Sequence, residues 1–172
     1  MDERDDIRLS LPSKGRLSDN AVEFLAACGL EIYKPNPRQY AASIPTLPKV
    51  TVLFQRASDI VVGVRDGSVD LGITGLDITK EYGGEQGEIL VLHEALGFGH
   101  CRLAVAVPEA WEQVRAVQDL NRVIPELGHP LRVATKFTNL VGDFLETRGV
   151  EPFSLIHAEG TLEVAPAIGY AD

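Results

Sequence analysis

Ile7 to Leu11 is a short apolar run stopped by Pro12, Ser13, Lys14 and Gly15, and it predicts a strand followed by a loop. Ala21, Val22, Phe24, Leu25 and Cys28 then fall on one helical face, with Ser18 and Asp19 as candidate N-caps and Gly29 as the closing residue. Leu30 to Tyr33 reads as extended, Lys34 to Arg38 as loop, and Val50 to Phe54 as a β-branched and aromatic strand. Ser58 and Asp59 cap a short predicted helix that runs through Val64. Val69 to Thr74 predicts a strand, and Leu76 to Tyr82 a helix after Gly75.

Beyond the glycine-rich stretch Gly83 to Gly87 come the apolar runs Ile89 to Leu92 and Cys101 to Val107, separated by Gly97 and Gly99. A polar helix is expected around Glu109 to Val114, and Asn121 to Pro130 reads as an ordinary loop. A strand Leu131 to Thr135, a helix Thr138 to Thr147 closed by Gly149, and a strand Phe153 to His157 follow. Apolar strands that alternate with helices predict an α/β protein with a mainly parallel sheet covered on both faces. A lobe boundary is placed near Gly97, dividing residues 1–97 from 98–172.

Length and composition narrow the class. The chain has 172 residues, 45% hydrophobic and 24% charged, so it can bury a core and does not read as disordered. Its net charge is −9, and the acidity is even: −5 over residues 1–97 and −4 over the rest. Without a basic face, nucleic acid and anionic membrane are poor partners, whereas a small anion held by a few focused donors fits. No apolar run reaches the roughly 18 residues of a membrane span, and the opening Met1 to Asp6 is too acidic for a signal peptide. A cytoplasmic protein is expected. Cys28 and Cys101 sit in apolar segments and read as reduced core thiols.

Walker, serine-hydrolase and dinucleotide-binding motifs are absent from the sequence. The histidines His93, His100, His129 and His157 lack metal-ligand spacing. Three clusters stand out. Lys14-Gly15-Arg16 follows the first strand directly, where loops of open α/β sheets line the ligand crevice, and an ammonium beside a guanidinium suits a polyphosphate or serves as a solvated turn. Arg56 to Asp77 carries Asp70, which either opens a strand or borders a ligand, and Thr74-Gly75 at the strand's end. His157-Ala158-Glu159-Gly160-Thr161-Leu162-Glu163 reads as a strand turning through glycine into a helix. First-turn N–H groups, the positive dipole end and the Thr161 hydroxyl would form a phosphate cradle, although Thr161 also reads as a plain N-cap.

Taken together, Leu11 to Leu17, Arg56 with Asp59-Ile60, Asp66 to Gly75, Cys101-Arg102-Leu103, Val133 to Lys136 with Asn139-Leu140, and Glu159 to Pro166 closely resemble the catalytic part of ATP phosphoribosyltransferase, the first enzyme of histidine biosynthesis. The resemblance covers residues 7 to 172 in order. It implies two α/β lobes like those of type II periplasmic binding proteins, with the active site in the cleft between them. It also implies a transferase that joins N1 of ATP to C1 of the ribose of phosphoribosyl pyrophosphate (PRPP), releasing pyrophosphate and requiring Mg²⁺.

On that resemblance, Glu159, Gly160, Thr161, Leu162 and Glu163 form the loop for the 5-phosphate of PRPP, where the family usually has Asp or Asn, Gly and Ser at the start. Lys14 and Arg16 reach substrate phosphates, and Arg56 stabilises charge on the departing pyrophosphate. Asp70, Gly72, Thr74 and Gly75 border nucleotide and ribose, and Lys136 is a further candidate. Mg²⁺ is expected to arrive on substrate phosphates and water rather than on a protein cluster. Adenine N1 is already nucleophilic, so no general base is assigned. The resemblance further implies a homo-oligomer, residues beyond Asp172 that complete the first lobe, and a histidyl-tRNA-synthetase-like regulatory subunit in the short form of the family. Activity of the 172-residue chain alone is left open. The contrasting reading is a non-catalytic receptor for a small anion.

Overall fold

The computed structural model describes residues 5–84 and 87–172. The first four residues of the acidic opening, and Glu85 and Gln86 of the glycine-rich stretch, lie outside the described residues. The chain divides into two compact units, Met1–Cys101 and Arg102–Asp172, so the division falls just past Gly97.

Unit 1 is built on a four-stranded sheet of order β2-β3-β1-β4, from β1 (Ile7–Pro12), β2 (Ala41–Ser43), β3 (Val50–Gln55) and β4 (Leu71–Gly72). β1 is parallel to β3 and β4, and β2 is antiparallel to β3. Strand alternation sorts the two faces. Leu9 and Leu11 turn to one side, where with Val52 and Phe54 they meet Ala21 and Leu25 of α1 (Gly15–Ala27) in one buried cluster. Ser10 and Gly72, which are in register, turn to the other side. A side chain at Gly72 would run into Ile60 of α2 (Ala57–Arg65), which is 1% exposed. The glycine is therefore what lets α2 lie close on the sheet. Gly72→Ala is expected to destabilise unit 1 by about 1–3 kcal/mol through overpacking, seen as a lower urea midpoint; an unchanged midpoint would show that Ile60 has room to yield.

Several expectations shift. Helix α1 begins at Gly15 and α2 at Ala57, so Ser18, Asp19, Ser58 and Asp59 lie inside the helices and no side chain caps either start. The turns after β1 and β3 lead straight into helix, and the first of them needs the left-handed φ of 74° that Gly15 supplies. The extended run at Leu30 to Tyr33 is reduced to one bridge, Tyr33 with Ser43. The strand expected over Val69 to Thr74 shrinks to Leu71–Gly72, while α3 (Leu76–Tyr82) lies where the sequence puts it. Ile89 to Leu92 and Cys101 to Val107 form no regular element, and their side chains are largely exposed, Leu103 at 54%. Cys28 and Cys101 are exposed as well, which corrects their reading as core thiols. Cys28 caps α1 at its solvent end, and Cys101 lies in the irregular stretch where the units divide.

Unit 2 holds a parallel pair, β5 (Leu131–Thr135) and β6 (Phe153–His157), with α5 (Thr138–Thr147) between them in sequence, all as expected. The helix expected at Glu109 to Val114 is only a pair of turns, from Trp111 N–H to Pro108 C=O and from Val114 N–H to Trp111 C=O. Helix instead forms in the stretch read as loop: α4 (Leu120–Leu127) buries Leu120, Val123 and Ile124 and ends on left-handed Gly128. Spacing of three and four residues is the helical signal, masked in the sequence by Pro125 and by polar neighbours. Asn121 secures this helix by donating its amide to Gly149 C=O at 2.7 Å and accepting from Glu151 N–H. None of the described helices is long and apolar enough to cross a membrane.

Candidate functional site

In each unit most of the chemistry-bearing residues collect at the carboxyl ends of the parallel strands. Ser13 N–H donates to Gln55 C=O at 2.8 Å, which sets the end of β1 beside the end of β3. Lys14 and Arg56 follow at once as the N-cap residues of α1 and α2, neither giving a side-chain cap. Lys14, Arg16 and Arg56 are all exposed, and among the described residues none of the three is ion-paired. Uncapped first-turn N–H groups beside unpaired cations can bind an anion. Below this edge the buried Ser10 hydroxyl donates to Gln55 Oε1 at 2.6 Å, anchoring the residue that precedes Arg56.

The Asp70 to Gly75 group does not stay together. Thr74 and Gly75 reach the carboxyl edge, Thr74 Oγ1 donating to Ala57 C=O at 3.4 Å and Gly75 serving as N-cap of α3. The place of a side chain on Gly75 is already taken by the Asp77 carboxylate. Asp70 lies at the opposite, amino edge, where its carboxylate accepts the Arg8 backbone N–H at 2.8 Å and its own N–H donates to Arg8 C=O at 3.1 Å. It acts there as a tie between β4 and β1. Gly72, between them, serves the packing of α2.

In unit 2, Thr135 and His157 are in register at the carboxyl end of the pair. Thr135 Oγ1 accepts the Phe137 N–H at 3.0 Å, and the exposed Lys136 ammonium lies over the adjacent ring, 4.5 Å from the Phe137 centroid. Ala158 N–H donates to Thr135 C=O at 2.9 Å as the chain leaves β6. The expected helix after Gly160 is absent: only a single 3₁₀ turn forms, Leu162–Val164, so the dipole of a full helix does not contribute. A pocket of about 220 Å³ is present nevertheless, lined by Ala158, Gly160, Thr161, Leu162, Ala165, Ile168 and Tyr170.

Of the five loop residues singled out in the sequence, Gly160, Thr161 and Leu162 line this pocket, whereas Glu159 and Glu163 are exposed outside its lining. Thr161 adopts the left-handed region at φ 56°, which is costly for a β-branched residue and is held with its hydroxyl donating to Gly160 C=O at 2.7 Å. Nothing lies within 4 Å of the place a Gly160 side chain would occupy, so backbone is open to close approach there. Sequence reasoning missed Ile168 and Tyr170 as lining residues, because they lie beyond the motif and carry no signal of their own.

These features define an α/β protein of mainly parallel sheets whose candidate ligand-facing loops gather at the carboxyl edges. The family model described as HisG, ATP phosphoribosyltransferase, matches residues 56–172. The chain is 45% identical over 174 residues to ATP phosphoribosyltransferase 1, chloroplastic, of Arabidopsis thaliana, a match covering 99% of this chain and 42% of that protein. It is 39% identical over 172 residues to ATP phosphoribosyltransferase of Mesorhizobium japonicum, covering 96% of this chain and 74% of the relative. A solved structure, the ATP phosphoribosyl transferase (HisG:HisZ) complex from Thermotoga maritima, shares the fold with a TM-score of 0.61 at 19% identity, over 96% of this chain and 71% of that one. The chain belongs to the ATP phosphoribosyltransferase family. It spans about half the length, or less, of most of the curated relatives it matches, 42% for the plant protein above.

Proposed function

We propose that the chain provides the catalytic part of an ATP phosphoribosyltransferase, joining N1 of ATP to C1 of PRPP to form phosphoribosyl-ATP and pyrophosphate, in the cytoplasm. The observation that carries this reading is that the family match runs through the Glu159–Glu163 loop and the pocket it borders. Gly160 and Thr161 receive the 5-phosphate of PRPP on open backbone and a hydroxyl that turns from Gly160 C=O toward the ligand. Glu159 and Glu163, acceptors only when ionised, suit ribose hydroxyls rather than the phosphate itself. This reading includes the two-lobe arrangement with the substrates in the cleft that the resemblance implies.

Lys14 and Arg16 hold substrate phosphates, and Arg56, exposed and without an ion-pair partner among the described residues, meets the charge that develops on pyrophosphate as the C1–O bond breaks. Thr74 and Gly75 border the nucleotide, while Asp70 and Gly72 support them through the strand. Catalysis here is orientation of two substrates plus stabilisation of leaving-group charge. Mg²⁺ would supply further charge neutralisation on the phosphates. The hard oxygens of Glu159 and Glu163, exposed and adjacent in sequence to the pocket-lining Gly160, Thr161 and Leu162, fit the water shell of such an ion. A homo-oligomer and a regulatory subunit like histidyl-tRNA synthetase belong to the same reading, the latter supported by the HisG:HisZ complex of the Thermotoga maritima protein.

The test is to mix the purified chain with ATP, PRPP and Mg²⁺ and follow phosphoribosyl-ATP by absorbance, with and without a HisZ-type subunit. Product under either condition is the expected result. No product together with no PRPP binding would overturn the reading in favour of a different ligand.

A further inference from the structure

Residues 158–172 leave β6 at one end of unit 2 and come back to the other end, beside Arg132 near the start of β5. Leu131 gives its N–H to Pro152 C=O on the β6 side, so strand alternation turns the backbone groups of Arg132 to the open edge. Asp172 satisfies both: Arg132 N–H donates to Asp172 Oδ2 at 2.8 Å, and Asp172 N–H donates to Arg132 C=O at 2.9 Å.

The guanidinium closes the arrangement. Nη2 donates to Asp172 Oδ1 at 2.7 Å, Nε lies 3.3 Å from both carboxylate oxygens, and Nη1 donates to Gly169 C=O at 3.0 Å. The Asp172 side chain is only 7% exposed, and His129 Nδ1 stands 3.7 Å from Oδ2. Burial pushes the Asp172 carboxyl up, but the bonds from Arg132 outweigh it and hold the group below the ordinary carboxylate value. At the far end of the segment, Ala158 is bonded to Thr135, and the Tyr170 hydroxyl donates to His157 C=O at 3.3 Å. The residues lining the pocket lie between these two fastenings.

We propose that Arg132 and Asp172 are positioning residues that clasp the 158–171 segment and so hold Gly160 and Thr161 in the shape that receives the PRPP phosphate. The proposal rests on the phosphate reading of that pocket. The fork uses three separate nitrogens to reach the carboxylate and the Gly169 carbonyl; a lysine ammonium offers its donors from a single nitrogen and lacks that span.

Amide hydrogen exchange and calorimetric titration with ribose 5-phosphate, on the full chain as wild type, Arg132→Ala and Arg132→Lys, test this. In Arg132→Ala, amides of 159–171 are expected to exchange about tenfold faster or more, with those of β1 and β3 unchanged. The Kd for ribose 5-phosphate should weaken about tenfold, in line with the cost of misplacing a binding group, at unchanged stoichiometry. A merely structural role would lower stoichiometry and leave Kd alone. Arg132→Lys should fall between the two, and it carries both readouts should the alanine variant not fold. Wild-type exchange rates in the variants overturn the clasp, and faster exchange with an unchanged Kd overturns its positioning role. A wild type that does not bind ribose 5-phosphate overturns the phosphate reading and the positioning role with it, while exchange still decides whether the clasp orders the segment.

Discussion

Gly160→Val is expected to abolish PRPP binding while leaving the fold intact. The space around the missing Gly160 side chain is empty to 4 Å, and the residue does not adopt a left-handed φ. The valine Cβ therefore meets no protein atom, and the variant should fold. What it fills is the approach to the backbone beside the pocket that Gly160, Thr161 and Leu162 line. A phosphate held at this loop loses its hydrogen bonds to the backbone, each charge-assisted bond worth about 1.5–3 kcal/mol. Two such losses weaken binding by roughly 100-fold or more. Calorimetry with PRPP, alongside circular dichroism to confirm the fold, checks this. Near-normal affinity in a folded variant would place the phosphate elsewhere.

Arg56→Ala should cut turnover far more than PRPP affinity. Arg56 follows β3 directly and starts α2, but its side chain neither caps the helix nor pairs with a carboxylate among the described residues. Its loss should leave unit 1 standing, since Ser10 and Gln55 fix the backbone beneath it. A guanidinium aimed at the leaving group acts where charge grows, so its removal falls on the chemical step. Removing one such donor costs about 10² to 10³ in kcat, while the PRPP Kd should move by less than about tenfold. Steady-state kinetics with a separate binding measurement separates the two. Unchanged turnover with weakened binding would sink the leaving-group role.

Where apolar runs were long and clearly bounded, the elements were legible. β5, α5, β6 and α3 carry the residue ranges that periodicity and closing glycines predict. Legibility failed where local signals compete. Pro125 and a polar setting hid α4, whose buried Leu120, Val123 and Ile124 nevertheless keep helical spacing. Gly160-Thr161 looked like the start of a helix, yet Thr161 is left-handed and only a 3₁₀ turn follows. Cys101, in an apolar run, read as a core thiol but is exposed, as are the residues after it through Ala106. Lys14 and Arg16 could be placed at the carboxyl edge from sequence because they follow a strand in a mainly parallel sheet, and Arg56, singled out by the resemblance, falls at the same edge because loops after such strands share it.

The succession of strand and helix from β1 to α1, from β3 to α2 and from β5 through α5 to β6, the edge that collects the basic residues, and the family itself were set by the sequence, because these depend on local periodicity and on motifs of adjacent residues. Tertiary structure alone decided what Asp70, Gly72, Arg132 and Asp172 do. Asp70 points back to Arg8 at the amino edge, Gly72 makes room for Ile60, and Arg132 meets an aspartate 40 residues away. The direction of a side chain at a strand end, and the partner it finds across the chain, follow from register and packing between distant segments, which no local pattern encodes.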